Sequence, residues 1–175
     1  AGDSPWVRDQ PNPFDAAESA AFFGEGLVAG DRLLFGFPYP PVSLVGGTVG
    51  HLLGDVRYAH LLAVLAAGGT LLAGLGDRWS GRAGAVLFLT SPMLLPTVQR
   101  GWTETFLLLG LAVALVALRR GRGDVVPVLG MGLFVATKQY AVLFLPVLVA
   151  VSARWQGFRR QLRAGAAAVV VAVLV

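Results

Sequence analysis

Residues 58–76 read YAHLLAVLAAGGTLLAGLG, a run without Asp, Glu, Lys or Arg, opened by Asp55-Val56-Arg57 and closed by Asp77-Arg78. As a helix rising about 1.5 Å per residue it is roughly 28 Å long, enough to cross a hydrocarbon core of about 30 Å. The rest of the chain has the same character. Of its 175 residues, 55% are apolar and 14% charged, against about 45–50% and about 25% in an ordinary soluble domain. The mean hydropathy is +0.69. These numbers predict an all-α fold, a polytopic transmembrane helical bundle.

Outward from that run the apolar segments continue. Residues 83–98 form the next one, interrupted by Pro92 and Pro96, and 105–118 follow after Arg100-Gly101-Trp102-Thr103-Glu104. Residues 125–153 carry a single charge, Lys138. At about 43 Å as one helix this run is long for one span and short for two, so it reads as a pair, 125–137 and 139–153, turning near Lys138. A last run, 164–175, stops before it spans, and the chain starts without Met or a signal core. It is therefore expected to be a fragment truncated at both ends.

Upstream of the first span the composition changes. Residues 1–37 hold Asp3, Asp9, Asp15, Glu18, Glu25 and Asp31 but only two bases, Arg8 and Arg32. Pro5, Pro11 and Pro13 break the opening, and apolar residues from Phe14 to Ala29 fall at helical spacing, predicting a short amphipathic helix. Phe37-Pro38-Tyr39-Pro40-Pro41 is a stiff extended segment, because proline fixes its own φ and restricts its predecessor. Residues 42–53 make about 18 Å of helix, too short to span, and read as juxtamembrane. The organisation is thus a first external loop over 1–41 and a membrane region over 42–175.

Charge sets the orientation. The basic clusters Arg78/Arg82, Arg119/Arg120/Arg122 and Arg154/Arg159/Arg160/Arg163 mark cytoplasmic loops. An even number of crossings must then separate neighbouring clusters, and the segments allow it. Asp15, Asp31, Arg57, Arg100, Glu104 and Lys138 all fall on the external side, although none of them enters the parity argument. Charges at membrane depth are expensive and mark sites. Arg and Lys there suit a lipid phosphate, and a carboxylate suits a general base.

Other chemistries find no support. The absence of cysteine excludes disulfides, thiolate metal sites and cysteine nucleophiles. A pI near 10.3 does not imply nucleic acid, because the arginines are dispersed between apolar runs. There is no HExxH, GxSxG or P-loop pattern. His51 and His60 make no metal pair and read as packing or hydrogen-bonding residues, and no cofactor or divalent cation is indicated.

The order and spacing of several short motifs resemble a family. Phe37-Pro38-Tyr39-Pro40-Pro41, then a dozen apolar residues, then Asp55-Val56-Arg57-Tyr58 opening a span, is similar to the integral-membrane glycosyltransferases of the GT-C fold. Ser91-Pro92, Trp102-Thr103-Glu104 and the stretch from Gly130 to Lys138 resemble their later membrane segments. The resemblance implies a hexosyltransferase, mannosyltransferase-like, that moves a sugar from a polyprenyl-phosphate donor to a lipid or glycan acceptor hydroxyl. It would act on the external face of the plasma (inner) membrane, as part of the cell envelope machinery. It also implies that Asp15, with Asp9 as runner-up, is the catalytic base. Arg57, Arg100, Glu104, Lys138, Asp55 and Tyr39 are implied as substrate- and phosphate-binding residues.

Plainer roles stand beside these. Asp15 suits a helix N-cap, and Asp31 a turn. Asp55/Arg57 suit an interfacial loop pair. Arg100, Trp79, Trp102 and Trp155 suit interfacial anchoring, Glu104 the positive end of a helix dipole, and Lys138 a snorkelling side chain. Tyr39 and Pro40 suit loop shaping. A transporter or lipid flippase and a non-catalytic membrane assembly subunit are the rival readings.

Overall fold

The computed structural model describes residues 9–12, 14–120, 125–144, 146–147 and 150, and is mostly helical. Several expectations lie outside the described residues: the partial span 164–175, the end of the run 139–153, Trp155, and the arginines 122, 154, 159, 160 and 163. The chain divides into two compact units, Ala1–Tyr39 and Pro40–Val175.

The first unit holds β1 (Gln10–Pro11), α1 (Ala16–Phe22), β2 (Val28–Ala29) and β3 (Arg32–Leu33). The strands form a small antiparallel sheet in the order β1-β3-β2, an addition to the all-α expectation. Two-residue strands are too short to show a period of two, so alternation cannot announce them. The helix expected across 14–29 stops at Phe22. Beyond it Gly26 takes φ 80°, outside the helical region, and Val28 and Ala29 pair with Leu33 and Arg32. The β2–β3 hairpin closes on Gly30 and Asp31, with Gly30 at φ 60°. Asp31 is thus a turn residue, and its carbonyl accepts from the Asn12 N–H at 2.7 Å. Phe14, Phe23 and Phe35 pack in a chain of tilted rings, with centroids 5.6 and 5.7 Å apart.

The second unit is helical: α2 (Pro41–Leu52), α3 (Val56–Leu75), α4 (Trp79–Leu89), α5 (Leu94–Gln99), α6 (Glu104–Arg119), α7 (Val125–Val135), then a 3₁₀ turn over Gln139–Phe144. Pro41 opens α2 at a position where its missing N–H costs nothing. The interrupted run 83–98 is built as α4 and α5, separated at Ser91-Pro92, and the run after α7 turns at Thr137-Lys138. Among the described residues α3 alone is long and apolar enough to cross a bilayer.

Helix directions follow from the contacts. His60 meets Phe106 at the start of α6, and Gly74 lies against Val116 near its end, so α3 and α6 run parallel. Gly110 faces Phe134 and Gly130, and Gly130 faces Ala114, so α7 returns antiparallel. A Cβ on Gly110 would stand 2.6 Å from the Phe134 backbone nitrogen, an approach that only glycine permits. The buried face of α3 is Ala59, His60, Ala63, Val64, Ala67 and Gly68, while Leu61, Leu62, Leu65 and Leu72 are exposed. Small residues inside and leucine outside reverse the usual soluble pattern and match close packing of helices in lipid.

α2 lies across three helix ends. The Val42 N–H donates to Ala136 O at 3.2 Å and the Ser43 hydroxyl to Thr137 O at 2.8 Å. Gly46 sits against the Phe106 ring, and Gly50 against the backbone of Val56. The helix thus passes α7, α6 and α3 in turn. Its length of about 18 Å is the distance across three helices spaced about 8–10 Å apart.

Candidate functional site

That capped end carries most of the charges singled out by the sequence. Asp55 caps α3, its Oδ1 accepting the Arg57 N–H at 2.8 Å. Its carboxylate also receives the Arg57 guanidinium, with Nε 2.9 Å from each oxygen and Nη2 in contact with Oδ2. These hydrogen bonds from Arg57 hold the Asp55 carboxyl down at about 2. The Arg57 side chain remains 57% exposed, so water and salt screen the pair.

Lys138 and Glu104 are 34 residues apart in sequence and meet at 2.5 Å, Nζ donating to Oε1. The Lys138 side chain is 13% exposed and that of Glu104 34%. The Tyr140 hydroxyl donates to the same Oε1 at 3.4 Å, and Lys138 Nζ lies 5.4 Å from the Tyr140 ring centroid. The other carboxylate oxygen, Oε2, and the Thr103 hydroxyl are buried without a hydrogen-bond partner among the described residues. Arg100 stacks its guanidinium 5.2 Å over the Trp102 ring. Among the described residues no carboxylate pairs with Arg100.

Asp15, Asp9 and Tyr39 belong to the first unit. Asp15 is the N-cap of α1: its Oδ1 accepts the Glu18 N–H at 2.8 Å, and Glu18 Oε2 accepts the Asp15 N–H at 3.4 Å. This reciprocal capping box is the plain role foreseen for an Asp at a helix start. Asp9 has Oδ2 3.9 Å from Arg32 Nε, and its carbonyl accepts from Arg32 Nη2 at 2.8 Å. The Tyr39 ring packs on Phe37, with centroids 5.7 Å apart. A groove of about 540 Å³ in this unit is lined by Asn12, Phe14, Ser19, Phe23 and Glu25 among others; Asp15 stands outside its lining.

The opposite end of the helical unit is basic. Arg78, Arg82, Arg119 and Arg120 cluster where α3 and α6 finish. Arg82 Nε donates to Gly76 O at 2.7 Å, and Arg120 donates to the carbonyls of Gly74, at 3.3 Å, and Ala73. Unpaired carbonyls at a helix C-terminus are natural partners for cations.

Sequence reasoning passed over two polar residues at the capped end, Thr105 and Tyr140, and read His60 there as a packing or hydrogen-bonding residue. The His60 Nδ1 and the Thr105 hydroxyl are 2.7 Å apart in a buried contact. The one available signal was a histidine inside an apolar run. In comparisons with known proteins no family model matches the chain, and no curated protein or solved structure matches it.

Proposed function

We propose that this chain acts as a multi-pass membrane glycosyltransferase, moving a sugar from a polyprenyl-phosphate donor to an acceptor hydroxyl on the external face of the plasma membrane. The observation that carries the reading is the gathering of Arg57, Arg100, Glu104 and Lys138 at one end of helices whose outward surface is leucine. That surface favours lipid as solvent, and the arginine-rich opposite end favours the cytoplasm. In this reading α3 and α6 descend from the external side, and α4, α5 and α7 return to it. α2 rests at the interface.

Arg100 is the cation best suited to the phosphate leaving group, since Arg57 is engaged by Asp55 and Lys138 by Glu104. A preplaced guanidinium stabilises charge that develops on the departing phosphate. The Glu104–Lys138 pair braces α6 against the segment after α7. Asp15 is proposed as the base that removes the acceptor proton. Engagement of both Lys138 and Arg57 also favours a second reading, a transporter in which these pairs line a path.

The test is sugar transfer by full-length protein in proteoliposomes supplied with labelled polyprenyl-phosphate sugars. Asp15→Asn keeps an N-cap oxygen but loses the base, so transfer is expected to fall by about a hundredfold or more with α1 intact by circular dichroism. Unchanged turnover removes Asp15 from the mechanism. Wild-type vesicles that transfer no sugar but carry solute or lipid across the bilayer overturn the enzyme in favour of the transporter.

A further inference from the structure

Two kinds of arginine share the basic end of the helical unit. Arg82 and Arg120 are taken up by carbonyls at the close of α3. Arg78 and Arg119 are not: among the described residues neither guanidinium has a hydrogen bond or an ion pair. Asp77 is the sole carboxylate at this end among the described residues, and it pairs with neither.

Both of these arginines line one cavity. It has a volume of about 480 Å³ and is bounded by Leu75, Arg78, Ser80, Gly81 and Arg119, so α3, α4 and α6 each contribute to it. Sites for small molecules span about 300–1,000 Å³. Close packing fixes the walls. A Cβ on Gly81 would collide with the Leu75 carbonyl, so the first turn of α4 folds directly onto the end of α3. Arg82 holds the same turn through Gly76 O at 2.7 Å.

The charge around this space is not balanced by the protein. Arg78 occupies the N-cap of α4 and makes no capping bond, where Ser, Asp or Asn would ordinarily accept from the first N–H groups. A cation at the positive end of a helix is unfavourable, and Arg119 adds a second charge. An anion in the cavity relieves both, and guanidinium groups suit the oxygens of a phosphate. Trp79, 83% exposed, follows Arg78 as aromatic side chains do at the level of lipid headgroups. Exposed Leu72 and Val86 continue α3 and α4 away from this end. That apolar border suits a phospholipid rather than a soluble phosphate ester. A zwitterionic headgroup would bring its ammonium beside two guanidinium groups, so the favoured headgroup carries net negative charge.

We infer that this cavity binds the headgroup of an anionic phospholipid, with its phosphate oxygens held by Arg78 and Arg119. Basic pockets between membrane helices commonly take such headgroups. The inference needs this end to meet a bilayer surface and does not depend on sugar transfer.

Equilibrium binding of fluorescent phosphatidylglycerol to the full chain in detergent micelles tests it, with phosphatidylcholine and glycerol phosphate as competitors. Arg78→Gln and Arg119→Gln should each weaken binding by about tenfold or more. Both should unfold near the wild-type temperature, because neither guanidinium bonds to the described protein. Arg120→Gln removes the same charge from the same end but lies outside the cavity lining, and should weaken binding by about threefold or less. Ser80→Phe keeps every arginine and fills the cavity, so it should abolish binding even if an arginine variant fails to fold. Unchanged affinity in Ser80→Phe, or in both Arg78→Gln and Arg119→Gln, overturns the inference. So does an equal loss in the variants of Arg78, Arg119 and Arg120, the mark of diffuse surface charge. Displacement by phosphatidylcholine as readily as by unlabelled phosphatidylglycerol overturns it too. Displacement by glycerol phosphate at matching concentration overturns the lipid and leaves a soluble phosphate ester as the ligand. Sugar transfer by a chain that binds no phosphatidylglycerol would defeat this inference alone; binding without any sugar transfer would defeat the glycosyltransferase alone.

Discussion

At the end of the helices carrying Asp55, Glu104 and Lys138, cations meet carboxylates; at the end carrying Arg82 and Arg120, they meet backbone carbonyls. The two solutions have different consequences. An arginine on a helix C-terminus keeps its full charge and only satisfies carbonyls already in place, so the basic end stays strongly positive. A lysine on a glutamate is neutralised, and it joins two segments far apart in the chain. One end therefore carries uncompensated positive charge, while the other is organised around defined polar contacts.

The sharpest way to break the contrast is to ask whether the ends face opposite compartments. The chain has no native cysteine, so Gln99→Cys and Ser80→Cys give clean labels. An impermeant maleimide added to right-side-out vesicles should modify position 99 and spare position 80. Labelling of both, or of 80 alone, would undo the orientation.

Next in size is the buried-side pair. Lys138→Met should cost about 2 kcal/mol of stability, less than the roughly 3–5 of a fully enclosed pair because a third of Glu104 remains exposed. Adding Glu104→Met should recover much of that loss in thermal unfolding. A double variant as unstable as the sum of the singles would mean that the two side chains do not interact. Arg120→Ala at the opposite end should cost about 1 kcal/mol or less, the net worth of a hydrogen bond to a carbonyl near the surface.

The smallest effect is the acid limb of Asp55. Its carboxyl is held at about 2 in the folded chain, below the ordinary 3.8. A depressed folded value means that the contribution is complete above the ordinary value and fades as pH falls from about 4 to about 2. Wild type should lose a small, salt-sensitive increment of stability across that window. Asp55→Asn should show none of that slope, and an identical slope in both would take Asp55 out of the acid response.

Much of this was legible in one dimension. The cap at Asp15 and the Asp55–Arg57 pair act over two or three residues, so residue type and position announced both, though not that Asp55 would cap α3. The turn at Gly30-Asp31 was equally local. The break at Ser91-Pro92 and the turn near Lys138 showed as punctuation in apolar runs. The short helix α1 was over-extended because Phe14 to Ala29 carries a helical spacing of apolar residues that Gly24, Gly26 and two-residue strands override.

The site itself was less legible. Lys138 and Arg57 were read as cations for phosphate, yet each is engaged by a carboxylate, one of them 34 residues distant. His60 was read as a packing or hydrogen-bonding residue, and it does meet a hydroxyl, but its partner Thr105 lies 45 residues away and no local pattern names it.

Hydropathy, the spacing of arginines and the local caps are properties of the linear chain, since each depends on composition or on neighbours within a turn. The passage of α2 over three helix ends, the glycine seam between α6 and α7, and the Glu104–Lys138 contact depend on which helix faces meet. That choice rests on close packing between segments distant in sequence, where one Cβ at Gly110 or Gly130 is enough to forbid the approach, and no pattern along the chain encodes it.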